Sequence, residues 1–371
     1  MQNLTRASSE LFRRSPDECF DSLVSLYERC QQRRERSVDH WHPPQDLRPH
    51  AGDGRLKLGF GSEEPFEMND WSFAQVCRLA RVSKDTLNRL KPETAGTALA
   101  ETLPRFDKPV QLLTSGNGIR SVHGVAYTRL WDVDLLNVVR EFATDFQPPQ
   151  RGGIVAGGDR PASEPEVDDD IPFQADTEPH DAAEGATGLY AGEQDMFCFL
   201  IDPLGWAEIN GEAFAPGFFI WNSEVGKRSV GVQTFWYQRI CANHIVWDAV
   251  EVVEFSRKHT ANVHESLTEI RRIIENLVTK RDERRDGFAK VVTKAMGTKL
   301  GDDAEEVAKV LTDRGIGRSV AKEALRMAER QGAFTIFAVV DALTRLAGKL
   351  EFAGDRTEAD EKASRLLALA A

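Results

Sequence analysis

The sequence predicts an α+β protein: β-hairpin and sheet units packed with helices, an acidic disordered insertion, and a helical C-terminal region. Three observations carry that expectation. Apolar and aromatic strand-like runs occur on both sides of a Pro/Gly/acid-rich stretch, at 109–131 and again at 188–258. Beyond 262 the apolar positions recur at helical spacing, as in Ile270, Ile273, Ile274, Leu277 and Val278. Between the two strand-rich parts, residues 147–187 hold too few apolar side chains to order themselves. The expected organisation is an N-terminal helix and loop (1–54), the first half of an α+β core (55–146), the acidic linker (147–187), a β-rich second half (188–260) and a helical region (261–371).

Taken in order, residues 16–36 form a helix whose start is signalled by Ser15 as N-cap and Pro16 behind it, with Phe20, Leu23, Leu26 and Tyr27 on one face. Its far end, "RCQQRRER", is either a solvated C-terminus that suits the helix dipole or a contact for phosphate or an acidic partner. Residues 37–65 are rich in Pro and Gly and read as a loop followed by a short strand. His40 and His42 lie there beside Pro43 and Pro44, which rule out a helical metal-binding pair, and no metal is expected. Residues 70–103 read as helices with a turn, in a pattern that fits helix–turn–helix and ordinary helix packing alike.

A strand at 110–113, the turn "SGNG" and a second strand "IRSVHGVAYTRLW" make a hairpin. On that second strand Arg120 and His123 fall on opposite faces, and Asp132 then caps a helix. After the linker, "DMFCFLID" and "GFFIWNSEVG" read as strands. "RSVGVQTFWYQRICANHIVWD" runs from strand into helix, and "AVEVVEFSRKHT" is a final strand. "DDAEEVAKVLTDRG" has the acidic start and Gly stop of a helix.

No run within the 371 residues reaches the ~18 consecutive apolar residues of a membrane span, and the N-terminus has no apolar signal core. The five scattered cysteines are odd in number and fit free thiols. A cytoplasmic protein without membrane contact is therefore expected. The net charge of −12 speaks against a nucleic-acid binder only until it is located. Residues 151–195 carry twelve acids and two arginines, a charge of −10, which leaves −2 for all the rest. A near-neutral fold can still present a basic groove.

The stretches "GLYAGEQDMFCFLID", "GFFIWNSEVG", "WYQRICANHIVWDAVEV" and "FTIFAVVDALTRLAG" together resemble the phage- and plasmid-associated domain-of-unknown-function-932 family. "SFAQVCRLARVSKDTLNRL" and "IRSVHGVAYTRLWDVDLLNVV" fit it too, so the resemblance spans roughly 55–350 apart from the linker. It implies a setting on mobile elements rather than a reaction.

In "WNSEVGKRS" a Gly turn with Asn222, Ser223 and Glu224 precedes Lys227 and Arg228, which fits an anion site or a self-capped turn. Arg120, His123, Tyr127 and Arg129 on the hairpin, with Trp221, suit phosphates and stacked bases, or an ordinary strand face. These seven, Arg120, His123, Tyr127, Arg129, Trp221, Lys227 and Arg228, are the nucleic-acid candidates. Single-stranded DNA binding or strand annealing by a possible homo-oligomer is the leading expectation. The alternative is an enzyme in which Glu224, Asn243 and His244 share a cleft for acid–base work. No nucleophile, phosphate-loop or cofactor motif accompanies them, and no cofactor is expected.

Within the linker, "DDDIPF" is closely similar to the C-terminal tip of bacterial single-stranded-DNA-binding proteins. The resemblance implies that Asp168, Asp169 and Asp170 meet a basic rim while Ile171, Pro172 and Phe173 enter an apolar pocket on a host repair or replication protein. Here Gln174 follows Phe173, so the terminal carboxylate of that family is missing. A third function, an interaction or anti-host protein, would use this acidic segment; the other reading of the segment is a plain acidic solvating linker.

Overall fold

The computed structural model describes residues 10–52, 54–61, 64–149, 188–238, 243–245, 254–330 and 334–370, and the chain is α+β. A two-residue strand β1 (Glu18–Cys19) and helix α1 (Leu23–Glu35) open it. Strands β2 (Ser37–His42), β3 (Arg48–Gly52), β4 (Arg55–Gly59) and β5 (Phe66–Met68) lead to helices α2 (Asp70–Leu79), α3 (Lys84–Asn88) and α4 (Pro92–Thr102). The hairpin β6 (Val110–Ser115) and β7 (Gly118–Gly124) and helix α5 (Asp132–Phe142) end the first half. The second half holds β8 (Leu189–Ala191), β9 (Met196–Ile201), β10 (Ala207–Ile209), β11 (Glu212–Asn222), β12 (Val230–Gln238), β13 (Asn243–Ile245) and β14 (Glu254–Arg257). Six helices follow: α6 (Glu265–Thr279), α7 (Arg281–Gly297), α8 (Ala304–Asp313), α9 (Arg318–Arg330), α10 (Ile336–Ala347) and α11 (Ala353–Ser364).

Several local expectations shift. Helix α1 starts at Leu23, because Ser22 and Ser25 cap each other reciprocally at 3.1 and 3.3 Å; Ser15 and Pro16 lie in the approach to it. The Pro/Gly-rich stretch contains three strands, β2, β3 and β4, where one was expected. Its prolines stand where a sheet tolerates them: Pro43 and Pro44 in the connecting turn, Pro49 on the edge strand β3. The hairpin strand ends at Gly124, so Tyr127 and Arg129 lie in the loop after it. Asp132 is the first helical residue of α5 rather than its cap. Residues 243–245 pair with β12 as a strand instead of entering a helix.

One sheet has eight strands with the main path β1-β8-β9-β11-β12-β13, and β14 also pairs with β12. Every residue of β9 and β12 is buried. Their alternation serves two cores. Cys198, Leu200, Val230 and Val232 join α1, α5 and α6, while Phe197, Phe199, Phe235 and Tyr237 form an aromatic layer that reaches Ala353 of α11. The other sheet runs β2-β6-β7-β5-β4-β3 and packs on α2, α3 and α4. Its outermost strands β2 and β3 are joined by residues 43–47 alone. That connection reaches about 20 Å, against about 24 Å across six flat strands, so the sheet is strongly curled.

The acidic insertion enters and leaves along one strand edge. Gln147 bridges Ile201 of β9, Phe199 donates its N–H to the Gly188 carbonyl at 2.9 Å, and Leu189 pairs with Cys198. Gln147 and Gly188 thus flank the single position that would face Leu200 in an uninterrupted strand. Asp168, Asp169, Asp170, Ile171, Pro172 and Phe173 lie outside the described residues. Among the described residues no helix is long and apolar enough to cross a membrane.

Candidate nucleic-acid interface

The turn after β11 is docked into the other sheet. Its carbonyls, not its N–H groups, face its partners. Tyr127 donates its hydroxyl to the Glu224 carbonyl at 2.8 Å, and Arg129 Nη1 donates to that same oxygen. The Val225 carbonyl accepts from Trp71 Nε1 at 2.8 Å and from His123 Nε2 at 2.9 Å. An anion nest needs the opposite polarity. The anion site expected at Asn222, Ser223 and Glu224 is therefore a receptor for donors from β7, α2 and the loop after Gly124. Gly226 makes the docking possible. Its φ is +69°, and a Cβ there would stand 2.6 Å from His123 Cε1 and 2.9 Å from Tyr127 Cε2, two rings stacked at 3.7 Å.

Beneath this turn lies a buried ionic group. Glu224 Oε2 accepts from Arg120 Nη2 at 2.6 Å, and Oε1 accepts from the Asp132 backbone N–H at 3.0 Å. Glu224, from the second half of the chain, thus caps α5 in the first half. Asn222 Nδ2 donates to Asp132 Oδ1 at 2.8 Å and to the Leu130 carbonyl at 2.9 Å. Burial, and after it the charge of Glu224, raise the pKa of Asp132 well above the usual carboxylate range. Arg129, 8% exposed, closes the group with an ion pair to Asp39 at 2.9 Å.

Arg120 also faces outward. It lines a cleft of about 330 Å³ with Arg29 and Arg33 of α1 and Arg36, the residue that ends that helix, opposite Glu18 and Glu193. Positions 29, 33 and 36 share one helix face, which is how α1 aims three guanidinium groups at one place. Arg29 pairs with Glu18 at 2.7 Å, and Arg33 donates to the Gly192 carbonyl at 2.9 Å. Arg36 is exposed, and its side chain has no hydrogen-bond or ion-pair partner among the described residues. Four cations line the cleft against Glu18 and Glu193, with Glu224 behind Arg120 as a third carboxylate, which leaves a small positive excess.

The sequence candidates are therefore brought together, but mostly inward. Arg120, His123, Tyr127 and Arg129 meet at the docked turn. Lys227 is exposed and reaches over the Trp71 ring at 5.1 Å. Arg228 holds Asp195 at 2.9 Å and Glu358 at 2.8 Å, tying the turn to α11. Trp221 packs on Phe219 and fills the space above Gly231. Glu224, Asn243 and His244 do not form one cleft. Trp221 pairs with Gly231 near one end of β12, whereas His244 and Asn243 pair with Tyr237 and Gln238 at the other, about 20 Å along the strand. His244 instead stacks on Phe199 at 4.4 Å, with Nδ1 3.7 Å from Asp360. Asp132 is a site residue that the sequence offers only as a helix cap, whereas Arg29, Arg33 and Arg36 all belong to the run read as a solvated helix end or a phosphate contact. The i, i+4, i+7 spacing of Arg29, Arg33 and Arg36 was the signal available for the arginines.

The docked turn has a pH signature. Burial, followed by the Arg129 charge, lowers His123 to about 3, and burial lowers His259 to about 4. Folded, both are neutral where the unfolded chain, near 6.5, takes up protons. Their contribution is complete above about pH 6.5 and is lost as pH falls towards 3. Asp360, raised to about 8 by burial, works the other way, since its ionised form is favoured in the unfolded chain from about pH 4 upward. The expected result is that His123→Gln flattens the fall in melting temperature between pH 7 and 5 relative to wild type. Parallel curves for the two proteins would contradict a neutral, docked His123.

No family model, curated protein or solved structure matches the chain.

Proposed function

We propose that the chain is a nucleic-acid-handling protein of a phage- or plasmid-like element that holds single strands by their phosphates at the arginine cleft. The observation that carries this reading is the convergence of Arg29, Arg33, Arg36 and Arg120 from two elements on one cleft. Guanidinium groups suit phosphate oxygens because their planar fork can donate two parallel hydrogen bonds. Base stacking contributes little here, since the Tyr127 ring lies against His123 and Trp221 is packed on Phe219. Binding should accordingly be indifferent to sequence and steeply salt-dependent.

The test is fluorescence anisotropy with labelled oligo-dT and oligo-dA at 50–200 mM salt. Both strands are expected to bind alike, with affinity falling as salt rises. Arg36→Glu, at a side chain with no internal bond, is expected to weaken binding about 10-fold or more by removing one phosphate contact and adding repulsion. No binding to either strand at low salt, or an Arg36→Glu protein that binds like wild type, would overturn the assignment.

A further inference from the structure

We infer that α8 and α9 form a second nucleic-acid site, a helix–turn–helix unit that lays α9 in the major groove of duplex DNA. The linker between the helices is four residues, Arg314 to Gly317, a length typical of that motif. Gly315 takes a φ of +78°, a left-handed conformation that favours glycine, and its N–H donates back to the Thr312 carbonyl at 3.0 Å. Ile316 points inward, and its N–H donates to the Leu311 carbonyl at 3.1 Å. On α9 the buried side chains are Ala321, Ala324, Leu325 and Ala328. Mostly small, they seat the helix closely on the core that α10 completes and leave the rest of its circumference in solvent.

That outer surface is cationic. Arg318, Lys322, Arg326 and Arg330 recur every fourth residue and are all exposed, a ridge about 18 Å long, with Arg314 in the turn before it. Among the described residues Arg314, Arg318, Lys322 and Arg330 have no ion-pair partner, while Arg326 pairs with Glu323 at 3.0 Å. The helix also carries Glu323 and Glu329, so four cations stand against two acids on it.

The charge order runs against helix stability. Helix α8 follows the dipole rule, with Asp303 as cap and Glu305 and Glu306 in its first turn. Helix α9 begins with Arg318 and has no acid in its first turn. Cations at a helix N-terminus are unfavourable, so the fold does not account for them. A phosphate backbone does, because the N-terminal part of the second helix is the part that enters the groove in this motif. The groove, about 12 Å wide, admits one helix. Arg314, Arg318 and Lys322 then reach phosphates, and Ser319 and Glu323 are presented beside them. The site is separate from the arginine cleft and does not depend on it.

The experiment compares a labelled 20-base-pair duplex and a 20-nucleotide single strand on the full chain, across 50–200 mM salt. For Arg318→Glu/Lys322→Glu, the expected result is a loss of at least 10-fold in duplex affinity. The salt slope should also be shallower by about 2, close to 0.9 per phosphate contact removed. Single-strand affinity should be unchanged. Thermal stability should hold or rise, since the new acids suit the helix N-terminus. Duplex binding by wild type that survives in Arg36→Glu supports this site even if the single-strand reading fails. The inference is overturned if wild type binds no duplex at 50 mM salt. It is equally overturned if the double variant binds duplex like wild type, or loses duplex and single strand in equal measure.

Discussion

Glu224→Ala is expected to lower the unfolding free energy by about 3–5 kcal/mol, the range seen when one partner of a buried ion pair is removed. Three things fail together. Arg120 keeps its charge beside a cavity, the Asp132 N–H at the start of α5 loses its acceptor, and the two halves of the chain lose a buried ionic tie. Urea unfolding measures the loss. Two companion variants separate charge from shape. Glu224→Gln keeps an acceptor for the Asp132 N–H and should cost less. Asp132→Asn should be mild, because the raised pKa of Asp132 already favours an uncharged side chain in the fold, and asparagine can still accept from Asn222. If Glu224→Ala proved neutral, or if Asp132→Asn were the more damaging of the two, the pair would not be the tie described.

Gly226→Ala is the second large effect. The left-handed backbone alone costs about 1–2 kcal/mol with a Cβ present. The new atom would also lie 2.6 Å from the His123 ring, so the stacked His123–Tyr127 pair must move and release its hydrogen bonds to the Val225 and Glu224 carbonyls. Overpacking of that kind adds about 1–3 kcal/mol. The expected sum, about 2–5 kcal/mol, is large for the addition of one methyl group. A melting temperature within error of wild type would mean that the turn does not dock against these rings.

Local signals made part of this fold legible. The Asn69/Ser72 capping box, the turn between β6 and β7, the alternating aromatic strands β9 and β11 and the apolar helix α10 are each written in a short window. What stayed hidden depends on distant partners. Strand β2 has exposed Val38 and Trp41, so its pattern has no buried face to announce it; pairing with β6 makes it a strand. Strand β13 follows an apolar run that could continue as helix, and only its register against β12 decides otherwise. The site has the same character. Arg120 and Glu224 are 104 positions apart, and their union follows from how two sheets meet, which no periodicity records. The seven nucleic-acid candidates were chosen for chemistry that does occur in one place, yet burial reassigned most of them to holding the place together. The arginines at the end of α1 are visible as a charge run, and the cleft they line appears only once β7 is laid beside them.

The acidic excursion leaves from Gln147 and returns at Gly188, which flank one position of a strand and are both fastened to β9. Because entry and exit are neighbours, the length in between is nearly independent of the architecture around it: doubling such a loop adds only about 0.6 kcal/mol of closure entropy. Residues added or removed between those two ends therefore cost the sheet little, and the scaffold tolerates change in length there better than anywhere within its strands.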